Sequence, residues 1–164
     1  MPCRAGSVVH VPDAKILTVS TSTAAGERDD RSGPALAAAL EAHGFTVVGM
    51  RVVVDGLEPV ADAVVELAVS FAGLLVTTGG TGFAPSDLTP EATSLVLDRH
   101  APGLAEAMRA ASPLGRLSRG LAGTLGTCLV LNVPGSPAGA VESFEAVADV
   151  LAHALELMAG SLPH

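Results

Sequence analysis

A chain of 164 residues with 49% hydrophobic and only 16% charged side chains can bury a real core, so it is a folded domain and not a disordered tail. A formal net charge of −8, with no Trp or Tyr and four Phe, excludes a nucleic-acid partner, which needs clustered cations and aromatic stacking platforms. Lys15 is the only lysine, so cationic help to a bound phosphate has to come from arginine or a metal ion.

Two long uncharged stretches, at 67–86 and 120–141, are interrupted by glycine pairs, Thr, Asn or Pro-Gly, so neither predicts a transmembrane helix and no membrane partner is expected. Cys3 and Cys128 are far apart and lack metal-ligand spacing, which predicts a free thiol on a tail and a small core residue. The N-terminus shows no apolar stretch of signal-peptide length. A cytoplasmic location is therefore expected.

In chain order, the first predicted element is a strand at 15–20, followed by a polar loop. A helix then opens at Pro34 and stops at Gly44. The β-branched run at 45–55 predicts a second strand, and apolar residues at helical spacing predict an amphipathic helix that ends near Gly73. Strands and helices thus alternate from the start of the chain.

The second half of the chain continues this alternation. Its predicted elements are a buried strand at 74–78, a helix capped by Thr89, a short helix after Pro102, an apolar strand at 127–133 and one long last helix beginning at Ser136.

The strands are apolar without alternation, as in sheets covered on both faces. The pattern predicts a single three-layer α/β/α sandwich around a mostly parallel sheet. We expect this domain to span residues 15–160, with residues 1–14 forming an N-terminal tail.

Polar or glycine-rich loops follow all four predicted strands. They lie at 20–33, 55–56, 77–89 and 134–136. Ligands of open parallel sheets bind where the carboxyl ends of the strands meet helix N-termini. The four loops are therefore expected at one edge of the sheet, and this convergence predicts the functional site.

The loop after the third strand contains Gly79-Gly80-Thr81-Gly82, which has the chemistry of an anion cradle. Glycines let successive backbone N–H groups point at one cluster of oxygens, and threonine hydroxyls add donors. The sequence matches neither the phosphate loop with its lysine nor the dinucleotide-binding glycine pattern. Taken alone, a tight strand-to-helix turn explains it equally well.

Asp87 lies in the same loop, where a carboxylate would repel a bound phosphate by roughly 4 kcal/mol at 4 Å and an effective dielectric of 20. Sites that keep such an acid usually place a divalent cation between the two charges or use the acid to position a nucleophile. Asp55 ends the second strand at the same predicted edge. Each aspartate alone fits a cap or a turn; together with the glycines they favour a site.

Three further features carry less weight. Ser136 is expected to cap the last helix. Ser118 and Arg119 could supply a hydroxyl and a guanidinium to a phosphate, although most such arginines are merely solvated. The charged stretch "GERDDRSG" resembles a mobile loop face, with Asp30 and Arg31 as candidate lid contacts.

The segment "TTGGTGFAPSDLTPEAT", followed by "LSR" at 117–119 and "LNVPGSP" at 131–137, resembles the Mog/MoaB family of molybdenum-cofactor biosynthesis. The resemblance runs from about Lys15 to the last helix. It implies a three-layer α/β fold, a homotrimer or higher oligomer, and binding of molybdopterin and Mg-ATP. Active members transfer the adenylyl group of ATP to the terminal phosphate of molybdopterin and release pyrophosphate, as a step that precedes molybdate insertion.

Carried over by motif, Asp55 and Asp87 are the expected catalytic acids and the expected Mg²⁺ ligands. The expected substrate- and nucleotide-binding residues are Ser20, Thr78, Gly79, Gly80, Thr81, Gly82, Ser118, Pro134, Gly135 and Ser136. One stretch, residues 20–23, departs from the Ser-Asp-Arg triplet of many members.

Two other functions stay open on the sequence. A non-catalytic molybdopterin-binding or carrier protein of the same fold would share these motifs without transferring an adenylyl group. A Rossmann-like oxidoreductase is disfavoured, because no Gly-x-Gly-x-x-Gly follows the first strand.

Overall fold

The computed structural model describes residues 11–161, so Cys3 and most of the expected tail lie outside it. The strands are β1 (Asp13–Val19), β2 (Thr46–Val53), β3 (Gly73–Thr78), β4 (Arg99–His100), β5 (Ala122–Leu125) and β6 (Cys128–Val133). They form one sheet in the order β2-β1-β3-β6-β5-β4. The first four strands in this order pair in parallel, whereas β5 and β4 are antiparallel to their neighbours.

The helices lie between and after these strands. They are α1 (Thr21–Ala24), α2 (Ser32–Ala42), α3 (Leu57–Ala68), α4 (Thr89–Val96), α5 (Pro102–Ala110), α6 (Pro137–Glu145) and α7 (Ala148–Met158), and a 3-10 helix covers Pro113–Leu117. Gly44, with a φ of +83°, follows α2 as predicted, because glycine adopts this left-handed conformation without a steric penalty.

Alternate residues of the central strands enter two separate cores, one on each face of the sheet. Ile16 and Val76 pack in the core that α2, α5, α6 and α7 cover. Leu17, Leu75 and Val130 pack in the other core, under α3 and α4. Because side chains alternate across a strand, apolar strands of this kind need helices on both faces. The predicted three-layer, mostly parallel α/β fold is confirmed.

The antiparallel edge of the sheet was not predicted. β5 turns into β6 through Gly126 and Thr127, and Gly126 has the positive φ (+57°) that two-residue hairpin loops require. β4 is only Arg99 and His100, both exposed, so it carries no apolar pattern that would identify a strand. A short polar edge strand is detectable through its pairing and not through its composition.

The prediction of a single last helix was also wrong, because this segment forms two helices, α6 and α7. The Val147 N–H bonds to the Phe144 carbonyl, which tightens the end of α6, and Val147 itself is buried with φ −125°. Burial of Val147 lets α7 continue on the same core through Leu151. The predicted apolar face is therefore kept, although the helix is not continuous.

Within residues 11–161, no helix combines the length and the apolar character needed to cross a membrane.

Candidate active site

The loops after β1, β2, β3 and β6 border two adjoining clefts. We call the first the acidic cleft, about 670 Å³, which lies between the loops after β1 and β2 and the glycine loop (79–88) and is lined by carboxylates that include Asp55 and Asp87. We call the second the leucine cleft, about 320 Å³, which is bordered by Leu114 and Leu117. Three residues line both clefts: Gly80, Asp87 and Gly135.

The predicted site residues are distributed over the two clefts. Those lining the acidic cleft are Ser20, Asp55, Thr78, Gly79, Gly80, Asp87 and Gly135. Those lining the leucine cleft are Gly80, Thr81, Gly82, Asp87, Ser118, Pro134 and Gly135. Ser136 lines neither cleft; its hydroxyl caps α6 by accepting the Gly139 N–H at 3.1 Å. The sequence therefore predicted correctly which loops meet at the two clefts, and Ser136 caps α6 as expected.

The glycine loop is closed against β1 and α4 at its first residue. Gly79 has a φ of +100°, and a Cβ on it would lie 2.3 Å from the Val19 carbonyl oxygen. Its N–H donates to the Val133 carbonyl at 3.2 Å, and its carbonyl accepts the Thr89 hydroxyl at 2.9 Å. The Gly79 amide is therefore already paired, and this position tolerates only glycine.

Thr89 does not cap α4, which corrects the prediction. It is the first residue of the helix, after Leu88 at the cap position, and among residues 11–161 no side chain caps this end. Thr89 is fully buried and uses both its backbone N–H and its hydroxyl to hold the carbonyls of Gly80 and Gly79. Its role is to fix the loop onto the helix.

The next three amides of the glycine loop are unpaired. Within the described part of the chain, the N–H groups of Gly80, Thr81 and Gly82 donate to no protein acceptor. All three residues line the leucine cleft. Unpaired successive amides bordering a cleft are the donors an anion needs. The anion cradle stays a prediction, for which the amides from Gly80 onward are free donors.

Asp87 folds back over this loop. One of its carboxylate oxygens, Oδ2, accepts the Ala84 N–H at 2.9 Å and would lie 2.8 Å from a Cβ on Gly82. Glycine at position 82 is therefore what permits the acid to lie against the loop. The half-buried Asp87 faces both clefts, so a ligand in either one meets its charge.

Asp55 lies in the loop between β2 and α3 (54–56, the Asp55 loop) and is held by α1. Its Oδ2 accepts the backbone N–H and the hydroxyl of Thr21, each at 2.8 Å. Its Oδ1 would lie 3.4 Å from a Cβ on Gly80. A loop was expected after β1, but Ser20 caps the short helix α1, whose first residue, Thr21, contacts Asp55. Both predicted acids border glycines of the same loop.

Arg119 also holds the glycine loop in place, and the sequence did not show this role. Its side chain donates to the Gly82 carbonyl at 2.8 Å and to the Asp87 carbonyl at 2.6 Å, and it pairs with Glu91. Its backbone N–H donates to the Thr81 carbonyl at 2.9 Å. The hydrogen bonds from Arg119 hold the pKa of Glu91 below its usual value. The guanidinium is thus occupied by the protein and not offered to a phosphate.

Two buried polar residues support the loops from beneath. The Thr78 hydroxyl donates to the Pro134 carbonyl at 2.8 Å, which joins the loops after β3 and β6. The Asn132 amide donates to the hydroxyls of Thr77 and Thr93, at 2.9 and 3.0 Å, and accepts the Leu121 N–H. The only sign of this buried network in the sequence was a single Asn within the apolar run "LVLNV".

Asp30, expected as a lid contact, is a fixed part of the acidic cleft. Its two oxygens accept the Thr18 hydroxyl at 2.8 Å and the Gly33 N–H at 2.9 Å. A carboxylate tied to both β1 and the first turn of α2 does not move as a lid would. Arg31 also lines this cleft.

The donor set fits a magnesium ion only if the substrate supplies ligands. No three His, Cys, Asp or Glu side chains in residues 11–161 are grouped so that they could hold a metal by themselves. Mg²⁺ is usually held by one or two carboxylates together with substrate phosphates and water. Asp55 and Asp87, both on the acidic cleft, match that pattern.

Cys128 is excluded as a nucleophile. Burial raises the pKa of its thiol to about 12, so the reactive thiolate is not formed near neutral pH. As predicted, it is a small core residue.

Comparison with known proteins decides the family. The family model described as probable molybdopterin binding domain matches residues 15–153. The chain belongs to this family. The resemblance to molybdenum-cofactor proteins seen in the sequence motifs is thereby confirmed, and the matched region contains both clefts.

Individual relatives agree with this assignment. The chain is 32% identical over 153 residues to the molybdopterin adenylyltransferase of Helicobacter pylori strain J99, covering 89% of this chain and 87% of that protein. It is 43% identical over 89 residues to the molybdenum cofactor synthesis protein cinnamon of Drosophila melanogaster, covering 52% of this chain and 15% of that protein. The molybdopterin biosynthesis enzyme MoaB of Thermus thermophilus has the same fold, with a TM-score of 0.86 and 44% identity over 91% of this chain and 97% of that one.

Proposed function

We propose that this protein is a molybdopterin adenylyltransferase, which transfers the adenylyl group of ATP to the terminal phosphate of molybdopterin. The observation that carries the proposal is that two carboxylates, Asp55 and Asp87, border a glycine loop with three unpaired amides. The Helicobacter pylori relative of nearly the same length bears the name of this enzyme. Amides for phosphate oxygens and acids for a cation are the groups that nucleotidyl transfer needs.

The two substrates would occupy the two adjoining clefts. Gly80, Asp87 and Gly135 line both clefts, which supports a meeting of the phosphate of one substrate with the α-phosphate of the other beside these residues. A pterin phosphate oxygen attacks the α-phosphorus, the bond to the bridging oxygen breaks, and pyrophosphate leaves with that electron pair. Holding both phosphates in line is the main contribution that the protein can make to this displacement.

The residues of the chain divide the work by their chemistry. The amides of Gly80, Thr81 and Gly82 bind phosphate oxygens, and Asp55 and Asp87 would hold Mg²⁺ that arrives with ATP. When bound, the ion supplies positive charge against the pyrophosphate as it leaves. Arg119 and Thr89 keep the loop in place, because they pair with its carbonyls. No phosphate-loop lysine is needed in such a site.

The test is release of pyrophosphate from Mg-ATP by the wild-type protein in the presence and absence of molybdopterin, with mass spectrometry of the pterin product. We expect pyrophosphate only when both substrates are present, together with an adenylylated pterin. If the protein binds molybdopterin but releases no pyrophosphate, it is a carrier of the same fold and the proposed enzyme function is wrong. Because Trp and Tyr are absent, protein concentration is set by peptide absorbance.

We propose further that the protein is a homotrimer and that the outer face of β2 lies between copies. β2 is at the edge of the sheet, and the alternate side chains Val48, Met50 and Val52 are exposed by 49, 48 and 37%. An apolar edge strand of this length tends to pair with another chain. Native mass spectrometry is expected to give a trimer, with a hexamer as a further assembly, and a monomer for Met50→Asp. A wild-type monomer would contradict the proposal.

The cytoplasmic location remains a prediction.

A further inference from the structure

Asp55 and Thr21 are joined by a reciprocal set of hydrogen bonds. The Thr21 N–H and hydroxyl both donate to Asp55 Oδ2 at 2.8 Å, and the Thr21 hydroxyl oxygen accepts the Asp55 N–H at 3.2 Å. Thr21 follows β1, whereas Asp55 follows β2. The pair therefore ties the ends of two neighbouring strands together at the edge of the acidic cleft.

This contact uses one oxygen of the carboxylate and leaves the other. Within residues 11–161, Asp55 Oδ1 has no hydrogen-bond donor, and it would lie 3.4 Å from a Cβ on Gly80. Two donors on Oδ2 fix the plane and the tilt of the carboxylate. With its orientation fixed in this way, Oδ1 lies on the side of the glycine loop, near Gly80, which lines both clefts.

Satisfying the end of α1 accounts for only part of the contact, because Asp55 Oδ2 accepts the N–H of the first helical residue and also its hydroxyl. The residue that caps α1 is Ser20, whose hydroxyl accepts the Thr23 N–H at 3.3 Å. Asp55 therefore is not required to begin this four-residue helix. The hydroxyl of Thr21 is also not required by α1, because it donates out of the helix to another loop.

We propose that Thr21 is a positioning residue that orients Asp55 so that Oδ1 faces the divalent cation held with ATP. This inference rests on the proposed function, since it concerns how one of the two acids is presented. It assigns a role to a residue in the stretch where the chain departs from the pattern of its family. Thr21 acts only through Asp55.

The test compares Thr21→Val, which removes the hydroxyl at nearly constant shape, with Thr21→Ser, which keeps it. The matched control is Thr127→Val, because the Thr127 hydroxyl also donates one hydrogen bond, to the Phe71 carbonyl, near the opposite end of β3. Mn²⁺ binding in the presence of the α,β-methylene analogue of ATP is followed by electron paramagnetic resonance. Urea unfolding of each variant checks the fold.

Thr21→Val loses the hydroxyl hydrogen bond to Asp55 and keeps only the one from the backbone N–H, so the carboxylate is less firmly oriented. We therefore expect it to need about five- to tenfold more Mn²⁺ for half-saturation. Thr21→Ser and Thr127→Val should stay within about twofold of wild type. In turnover, Thr21→Val should raise the Mg²⁺ requirement while kcat recovers at saturating Mg²⁺. Equal Mn²⁺ affinity of wild type and Thr21→Val, or equal weakening by Val and Ser, would overturn the inference.

The two proposals fail separately in this experiment. If wild type does not bind Mn²⁺ with the ATP analogue, the proposed function is overturned and this inference with it. If wild type binds the ion and releases pyrophosphate while Thr21→Val is indistinguishable from it, only the positioning role is overturned. Asp55→Asn, measured alongside, shows the loss expected when the ligand itself is removed.

Discussion

The glycine loop and the Asp55 loop border the same acidic cleft, but the first is locked by buried side chains whereas the second is held at the surface. Thr89, fully buried, and the half-buried Arg119 fix the carbonyls of the glycine loop. Asp55 depends instead on exposed Thr21. Buried hydrogen bonds are costly to break because the separated partners stay away from water, whereas exposed ones are readily replaced by water.

This difference separates two kinds of residue around one site. Changes beneath the glycine loop should lower the stability of the whole domain together with its activity, because the loop is part of the packed structure. Changes around the Asp55 loop should alter metal dependence and leave stability nearly constant. A preformed loop also matches a role in binding phosphate, since oriented amides need no rearrangement when charge arrives.

The largest effect is expected for Gly79→Ala, which tests how firmly the loop is locked. The new Cβ would lie 2.3 Å from the Val19 carbonyl oxygen at a φ of +100°, so backbone has to move. We expect a loss of about 3 kcal/mol or more in the free energy of unfolding by urea, followed by circular dichroism.

Gly26→Ala is the matched control, because Gly26 also has a positive φ (+75°) but has nothing within 4 Å of a Cβ. It should lose only about 1 kcal/mol, from backbone conformation alone. Equal losses in the two variants would show that the close approach of the glycine loop to β1 contributes nothing.

The second effect concerns the support beneath the loop. Asn132→Leu removes the amide that pairs with Thr77, Thr93 and the Leu121 N–H, and leaves these buried groups without it. We expect about 3 kcal/mol of destabilisation, measured by the same urea titration. A loss below about 1 kcal/mol, the size expected for a single ordinary hydrogen bond, would contradict the view that buried polar contacts lock this half of the site.

The third effect is on turnover. Arg119→Lys keeps the charge but cannot hold the Gly82 and Asp87 carbonyls with one planar group. A tenfold fall in kcat/KM for pyrophosphate release is expected, roughly the equivalent of one charge-assisted hydrogen bond. Arg116→Lys is the control, because within the described part of the chain Arg116, in the neighbouring 3-10 helix, donates only to the Pro113 carbonyl. This variant should keep wild-type turnover. A wild-type rate for Arg119→Lys would show that turnover does not depend on these hydrogen bonds of Arg119.

The smallest effect is the pH dependence of the Glu91–Arg119 pair. Because the pKa of Glu91 is lowered in the folded protein from an ordinary value of 4.5, its contribution is fully present above that value. It is lost as the pH falls through the lowered folded pKa. Both side chains are partly exposed, so the stability difference between wild type and Glu91→Gln should be below about 1 kcal/mol at pH 7. A difference that grows on acidification would contradict this assignment.

The sequence was sufficient to predict the parallel half of the sheet and the loops that meet at its edge, because buried parallel strands are continuous apolar runs. β4 and β5 were missed because both strands are short and consist of polar or small residues. β5 pairs with β6 through the Gly126 turn, and β4 pairs with β5 only after the intervening helices bring them together. The break before α7 depends on burial of Val147, which a helical pattern alone does not contain.

Within the site, residue type predicted which residues are present but not what each hydroxyl or guanidinium contacts. Thr89 was expected as a cap and instead holds Gly79, and Arg119 was weighed as a phosphate ligand and instead braces the loop. Thr21 was noticed only as part of the stretch 20–23 that departs from the family pattern, and its contact with Asp55 was not predicted. Such pairings join residues of separate elements, so they depend on tertiary geometry that spacing along the sequence cannot supply.

Pyrophosphate release by Asp55→Asn, Asp87→Asn and the double variant, with folding of each checked, shows whether the two acids serve one metal-bound nucleotide. If the two acids act as a unit, each single change should lower kcat/KM on the order of 10²-fold or more, and the double variant should be little worse than the poorer single one. Losses that multiply in the double variant, or a single variant with wild-type turnover, would contradict the shared site.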